Sequence, residues 1–182
     1  MSVSIELATL LVELVGLVAV FVSVLYLANQ VRQGTEVARS VARQGIADAA
    51  MAEASSVVDN PDLARILFSE ISGAEVAPHE EYRLQLFVFR SLRLYENVHY
   101  QFSRDMLEAE EWEAFRNNLE LLFEMEVYNR FWNGGAKLFT PMFQTLVEGI
   151  RTGLESSGRL GTSGLDVMGE GKWGDEGGAD ST

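Results

Sequence analysis

The chain has 182 residues, with 14 Lys and Arg against 27 Asp and Glu, a net charge of -13 and a pI near 4.5. So acidic a balance argues against nucleic acid as a partner, because phosphate binding needs a basic face. The absence of cysteine excludes disulfide scaffolds, thiolate nucleophiles and Cys-ligated zinc or iron–sulfur sites. The length suits one membrane anchor and one small helical domain.

Residues 7–28 read LATLLVELVGLVAVFVSVLYLA, with Glu13 as the only charge. At about 1.5 Å per residue the run is ~33 Å long, close to the ~30 Å of a hydrocarbon core. No Lys or Arg precedes it and no small-x-small cleavage site follows, which speaks against a cleaved signal peptide. Residues 14–28 are apolar all round, too apolar for the core helix of a small domain. Residues 1–30 therefore read as a single-pass transmembrane anchor. Glu6 precedes the run, and Arg32, Arg39 and Arg43 follow it, so the positive-inside rule places the N-terminus outside and the remainder in the cytoplasm.

Glu13 lies about 7 Å from the midpoint of the run at helical rise, where an unpartnered carboxylate is costly. At heptad spacing Thr9, Glu13, Gly16, Val20, Ser23, Leu27 and Gln30 share one stripe, with Ala19 beside it. Small residues permit close helix approach and a polar group in lipid needs a partner. Thr9, Glu13, Gly16, Ala19 and Ser23 thus form a candidate face for another transmembrane helix, from a different protein or a second copy. In the plainer alternative, Glu13 rides near the outer interface and snorkels.

Residues 31–58 are rich in Ala, Val, Gln and Arg and read as a juxtamembrane continuation of the anchor helix, weakened by Gly34 and Gly45. The bundle is placed at residues 59–155. Asn60-Pro61 is a helix start, with Asn as N-cap and Pro at the first position, and Gly73 ends that helix. Pro78 opens a helix to about Phe102 that is apolar on several sides. Asp105 to Glu108 resembles a capping sequence before a helix bearing Trp112, Phe115, Leu119, Leu122 and Phe123. Gly134-Gly135 breaks the chain, and the last helix, from about Ala136 or Pro141 to Glu155, presents Phe139, Met142, Phe143, Leu146, Val147, Ile150 and Leu154. The fold class is all-α: a transmembrane helix continuing into a four- to five-helix antiparallel bundle. Residues 156–182, rich in glycine and acids, read as a disordered acidic tail. Residues 53–156 carry 18 acids and 9 bases, so the body stands off an anionic leaflet and favours a basic cytoplasmic protein partner.

On the central helix, Arg90, Arg93, Glu96 and His99 are the candidate ligand or metal cluster. Glu96 and His99 form an E-x-x-H pair, the spacing that supplies two ligands in di-iron bundles, but such sites need a second pair, which is absent. No metal or cofactor is expected, and Glu96 is expected to pair with Arg93. Arg83, Arg90 and Arg93 are expected to form a salt-bridge ladder with the acids between Glu108 and Glu113. No phosphate-binding loop, dinucleotide fingerprint or catalytic triad spacing occurs, which leaves enzymatic function unsupported.

Three stretches carry a family resemblance: VSVLYLANQVRQGTEVARS, FRSLRLYENVHYQF followed by the acidic helix with Trp112, and the aromatic stretch around Trp132. Over most of residues 7–155 the chain resembles uncharacterised small bacterial membrane proteins with an N-terminal anchor and a short cytoplasmic helical domain. The resemblance implies architecture, and the bacterial inner membrane as the location, but no chemistry. The function expected is a non-enzymatic, membrane-tethered interaction or accessory subunit. The alternatives are a ligand- or metal-dependent sensor or enzyme built on the central-helix cluster, and a self-associating membrane scaffold.

Overall fold

A computed structural model describes the backbone of residues 2–161, and the side chains from Leu11 onward except that of residue 12. The described residues form α1 (Ser2–Val58), α2 (Pro61–Ile71), α3 (Pro78–Ser103), α4 (Ala109–Glu124), α5 (Glu126–Gly135), a 3-10 turn (Ala136–Leu138) and α6 (Pro141–Ser156). The fold is all-α. Two compact units meet in sequence at Arg43 and Gln44.

The first unit is helical throughout its described length, and Gly34 does not interrupt it. Every large apolar side chain from Leu14 to Leu27 is at least 55 % exposed. This stretch is therefore not a core helix, and α1 is long and apolar enough to cross a membrane.

In the second unit the helix ends are set by local chemistry. Asn60 accepts a hydrogen bond from the Leu63 N–H at 3.1 Å, and Pro61 occupies the first helical position, where its missing N–H costs nothing. Pro78 and Pro141 open α3 and α6 in the same way. The Glu111 carboxylate accepts from the Glu108 N–H at the start of α4. Three helices close with one motif, in which a left-handed residue turns the chain and two amides reach back to the last carbonyls. Gly73 (φ 69°) serves α2 and Gly158 (φ 70°) serves α6, but Asp105 (φ 58°) serves α3. Asp105 thus ends α3, while Glu108 is the N-cap of α4.

The main core joins Ile66, Leu84, Val88 and Leu92 to Phe123, Trp132, Phe139, Phe143, Val147 and Leu154. Trp132 is its centre, edge-on to Phe123 (5.8 Å) and Phe143 (6.0 Å) and tilted against Phe139 (5.2 Å). A second, smaller core holds Ile46, Val98, Leu107 and Trp112. Ile46 belongs to α1, so the last turns of that helix, read from sequence as juxtamembrane, belong to the bundle from Gln44 onward. Gly45 does not interrupt them.

Two expectations are corrected. The helix expected to run from Trp112 towards Gly134 breaks at Met125, whose backbone is extended (φ -83°, ψ 133°). Asn129 stabilises the break by donating to the carbonyls of Phe123 (2.6 Å) and Met125 (3.2 Å). The tail expected from residue 156 begins instead with a docked strap. Arg159 pairs with Glu124, Leu160 packs on the core, and the Gly161 N–H reaches the Phe123 carbonyl. The remainder of the expected disordered tail, residues 162–182, lies outside the described residues.

Truncating Phe143, which is fully buried, should cost about 3–5 kcal/mol. Asp105→Gly relieves the roughly 1–2 kcal/mol of a left-handed L-residue, less the backbone entropy of glycine, and should stabilise by about 0.5–1 kcal/mol. Urea unfolding of the full chain in mild detergent checks both.

Candidate functional site

α3 carries the polar residues singled out in the sequence, and the structure sends them in three directions. Arg90 faces the last turns of α1. Its Nε donates to Glu53 Oε2 at 2.7 Å and its Nη2 to Ser56 Oγ at 2.6 Å. The second oxygen of Glu53 is buried without a hydrogen-bond partner. Nearby, Tyr128 donates to Ser91 Oγ at 3.2 Å. Burial, with a smaller contribution from Glu53, pushes the Tyr95 hydroxyl up to about 12.

Arg93 and Glu96 come together. Arg93 Nη1 donates to Glu96 Oε2 at 2.5 Å, and the guanidinium lies 5.1 Å from the ring centres of both Phe89 and Phe139. The other Glu96 oxygen accepts from the Thr140 N–H at 2.7 Å, where α6 begins. Burial favours the neutral acid, but the Thr140 amide and Arg93 outweigh it and hold the Glu96 carboxyl below its ordinary value. Both carboxylate oxygens are engaged in tying α3 to the entrance of α6.

His99 separates from Glu96. Its ring lies 5.2 Å from Trp112 and 6.2 Å from Phe143, and Nδ1 is buried without a partner. Burial holds the imidazole below its ordinary value. The E-x-x-H pair thus does not converge, and among the described residues no three His, Asp or Glu side chains gather as a metal would need. The expected arginine ladder is also replaced. Arg90 and Arg93 take Glu53 and Glu96, while Glu113 pairs with Arg116 on its own helix at 3.3 Å.

Beside Arg93 and Glu96 lies an open groove of about 600 Å³, walled by Asn97, Tyr100, Thr140, Pro141 and Met142. Sequence reasoning missed Glu53 and Thr140 as partners. Glu53 had a signal: it falls on the helical stripe Ile46, Ala50, Glu53, Val57 that faces the bundle, a polar residue at an otherwise apolar register.

On α1, Glu13, Gly16, Ala19 and Ser23 are exposed, and nothing lies within 4 Å of a Cβ built at Gly16. Ser23 donates back to the Ala19 carbonyl at 2.7 Å, and its hydroxyl oxygen keeps the capacity to accept a hydrogen bond. The Thr9 side chain lies outside the described residues. No family model, curated protein or solved structure matches the chain.

Glu96→Ala leaves the Thr140 amide without its acceptor and should destabilise by about 1–3 kcal/mol. The Glu96 carboxyl is lowered from 4.5 on folding. Its contribution is therefore complete above that value and is lost as pH falls from there through the folded pKa. Urea midpoints at successive pH values should show this component in the native chain and lose it in Glu96→Gln.

Proposed function

We propose that the protein is a membrane-tethered, non-enzymatic interaction or accessory subunit. α1 would cross the bacterial inner membrane once, with its N-terminus outside and the bundle in the cytoplasm, as in the small anchored bacterial proteins that the sequence resembles. The observation that carries this reading is the run of exposed apolar side chains from Leu14 to Leu27 with the exposed Glu13 directly before it, inside the apolar stretch of residues 7–28. Lipid satisfies the apolar residues but not a carboxylate, so a polar group there is best explained by a partner. Gly16 and Ser23 on the same stripe, with Ala19 beside it, leave room for a second helix to approach, from another membrane protein or a second copy of this chain. The acidic bundle would meet a basic cytoplasmic protein by charge complementarity.

The groove beside Arg93 and Glu96 supports a second reading, a sensor that takes a small ligand there. Native mass spectrometry of the purified chain tests it through a co-purifying mass that Met142→Trp removes.

For the main reading, the full chain is tagged at its C-terminus and extracted gently from the host membrane. A stoichiometric membrane protein, or a defined homo-oligomer, should co-elute, and Glu13→Leu should reduce its yield about tenfold or more, the loss expected for about 1.4 kcal/mol of interhelical contact. A monomer, or an assembly indifferent to Glu13→Leu, would overturn the docking face.

A further inference from the structure

The last turns of α1 are joined to the bundle by a thin seam. Ile46 joins Val98 of α3 in the second core at one end, and Glu53 pairs with Arg90 at the other. The order is antiparallel: seven residues separate the two contacts on α1 and eight on α3. Ile46 is the one large apolar side chain that residues 44–58 bury fully. The seam therefore depends on the small core that walls Ile46, and Trp112 is the largest buried member of that core. The indole is stacked on Phe102 (5.0 Å, 10°) and lies against the His99 ring (5.2 Å, 31°), which also touches Phe143 of the main core. His99 is thus the polar member of an aromatic group that links the two cores.

We propose that His99 is a proton-sensitive pin: neutral, it completes the wall behind Trp112 and the seam is closed, and protonated, it loosens that wall and frees the last turns of α1 from the bundle. A neutral imidazole can carry its hydrogen on Nε2 and leave Nδ1 bare. The second proton places an N–H on a buried atom that has no acceptor.

The surroundings offer little to offset that donor. From α4, the charged residues one turn either side of Trp112 are Glu108 and Arg116, and Arg116 is held by Glu113 and Glu120. From α6, residues 140–147 bring no charged side chain. On α3, Glu96 is engaged by Arg93 and Thr140, and Arg104 lies over Tyr100. On α1, Asp48 accepts from Gln44 and Glu53 from Arg90. The indole face attracts an imidazolium, and this is the opposing effect. Burial prevails over it and keeps the ring below its ordinary value of 6.5.

The sign follows. A histidine whose folded value is depressed leaves stability intact above the unfolded value and removes it as pH falls below that value. The seam should open as pH falls below about 6.5, by up to tenfold in the open-to-closed ratio per pH unit until the folded value is reached. This holds whatever α1 binds.

The chain has no cysteine, so nitroxides can be placed at Met51→Cys and Asn97→Cys, both exposed and on either side of the seam. Pulsed electron resonance on the full chain in detergent reads the distance between them. The expected result is one narrow distance at pH 7.5 and a second, longer population at pH 5.5 that disappears in His99→Phe and His99→Gln. Circular dichroism establishes which variants are folded, and either one that is folded decides. Equal distributions at both pH values in the native background, or a low-pH population that persists in a folded variant, would overturn the proposal.

Discussion

Because Trp132 touches Phe123, Phe139 and Phe143 and donates its indole N–H to Glu148 at 2.7 Å, one side chain fixes how α4, α5 and α6 meet. α5 has only ten residues, too few to be helical on propensity alone. What holds it is the burial of Val127, Tyr128 and Trp132 on its inner face. A tryptophan at the centre of a core must also satisfy its polar end, and here Glu148 does so. Arg151 then links Glu148 to Asn133 (2.8 Å) and Asn129 (3.3 Å). The polar layer is thereby continuous from α6 to the break at Met125. Packing and polar satisfaction converge on one geometry, and that convergence selects a single arrangement over the many that the same apolar composition permits.

Charge has a different part in this bundle. Arg130 of α5 reaches Glu70 of α2 at 3.0 Å and Glu81 of α3 at 3.3 Å, and Arg65 of α2 meets Glu80 of α3. Pairs as exposed as these contribute at most about 1 kcal/mol each. They bias register without supplying the stability. Glu96 differs because it is buried: removing it would strand an amide at the start of α6 and release the guanidinium that lies over both Phe89 and Phe139. An excess of acid over base is tolerated because the two buried acids among the described residues, Glu96 and Glu124, each have an arginine partner.

Much of this architecture is legible in the sequence where the cause is local. Asn60-Pro61, Gly73, Pro78 and Pro141 act within four residues of themselves, and the apolar spacing of α6 reports a helix face directly. The break at Met125 was not legible, because Leu122, Glu124 and Met125 all favour helix and no Gly or Pro intervenes. Its cause is the carboxamide of Asn129 and the strap of Gly158 to Gly161, and the pairing of Arg159 with Glu124 spans 35 residues. The strap itself was hidden by composition, since glycine-rich sequence reads as disorder until Leu160 finds an apolar surface. The candidate cluster was half legible. Arg93 and Glu96 are one turn apart and meet as spacing requires, but Arg90 and His99 are claimed by other helices.

The division of labour along α3 follows from its position. A helix with neighbours on several sides cannot send all its polar groups to one place, because residues one turn apart drift around the axis. Arg90 points to α1, Arg93 and Glu96 to the entrance of α6, and His99 to the gap between α4 and α6. Each therefore serves a different seam, and the hydrogen-bonding capacity of Glu96 is filled in doing so. Among the described residues of the second unit, the buried side-chain polar atoms without a hydrogen-bond partner are Glu53 Oε1 and His99 Nδ1. They lie at opposite ends of the seam between α1 and α3. Residues 44–58 bury only Ile46 there, and two unsatisfied polar atoms lower its stability further. By the logic that local opening occurs where few apolar contacts oppose it, this seam separates before the Trp132 core does.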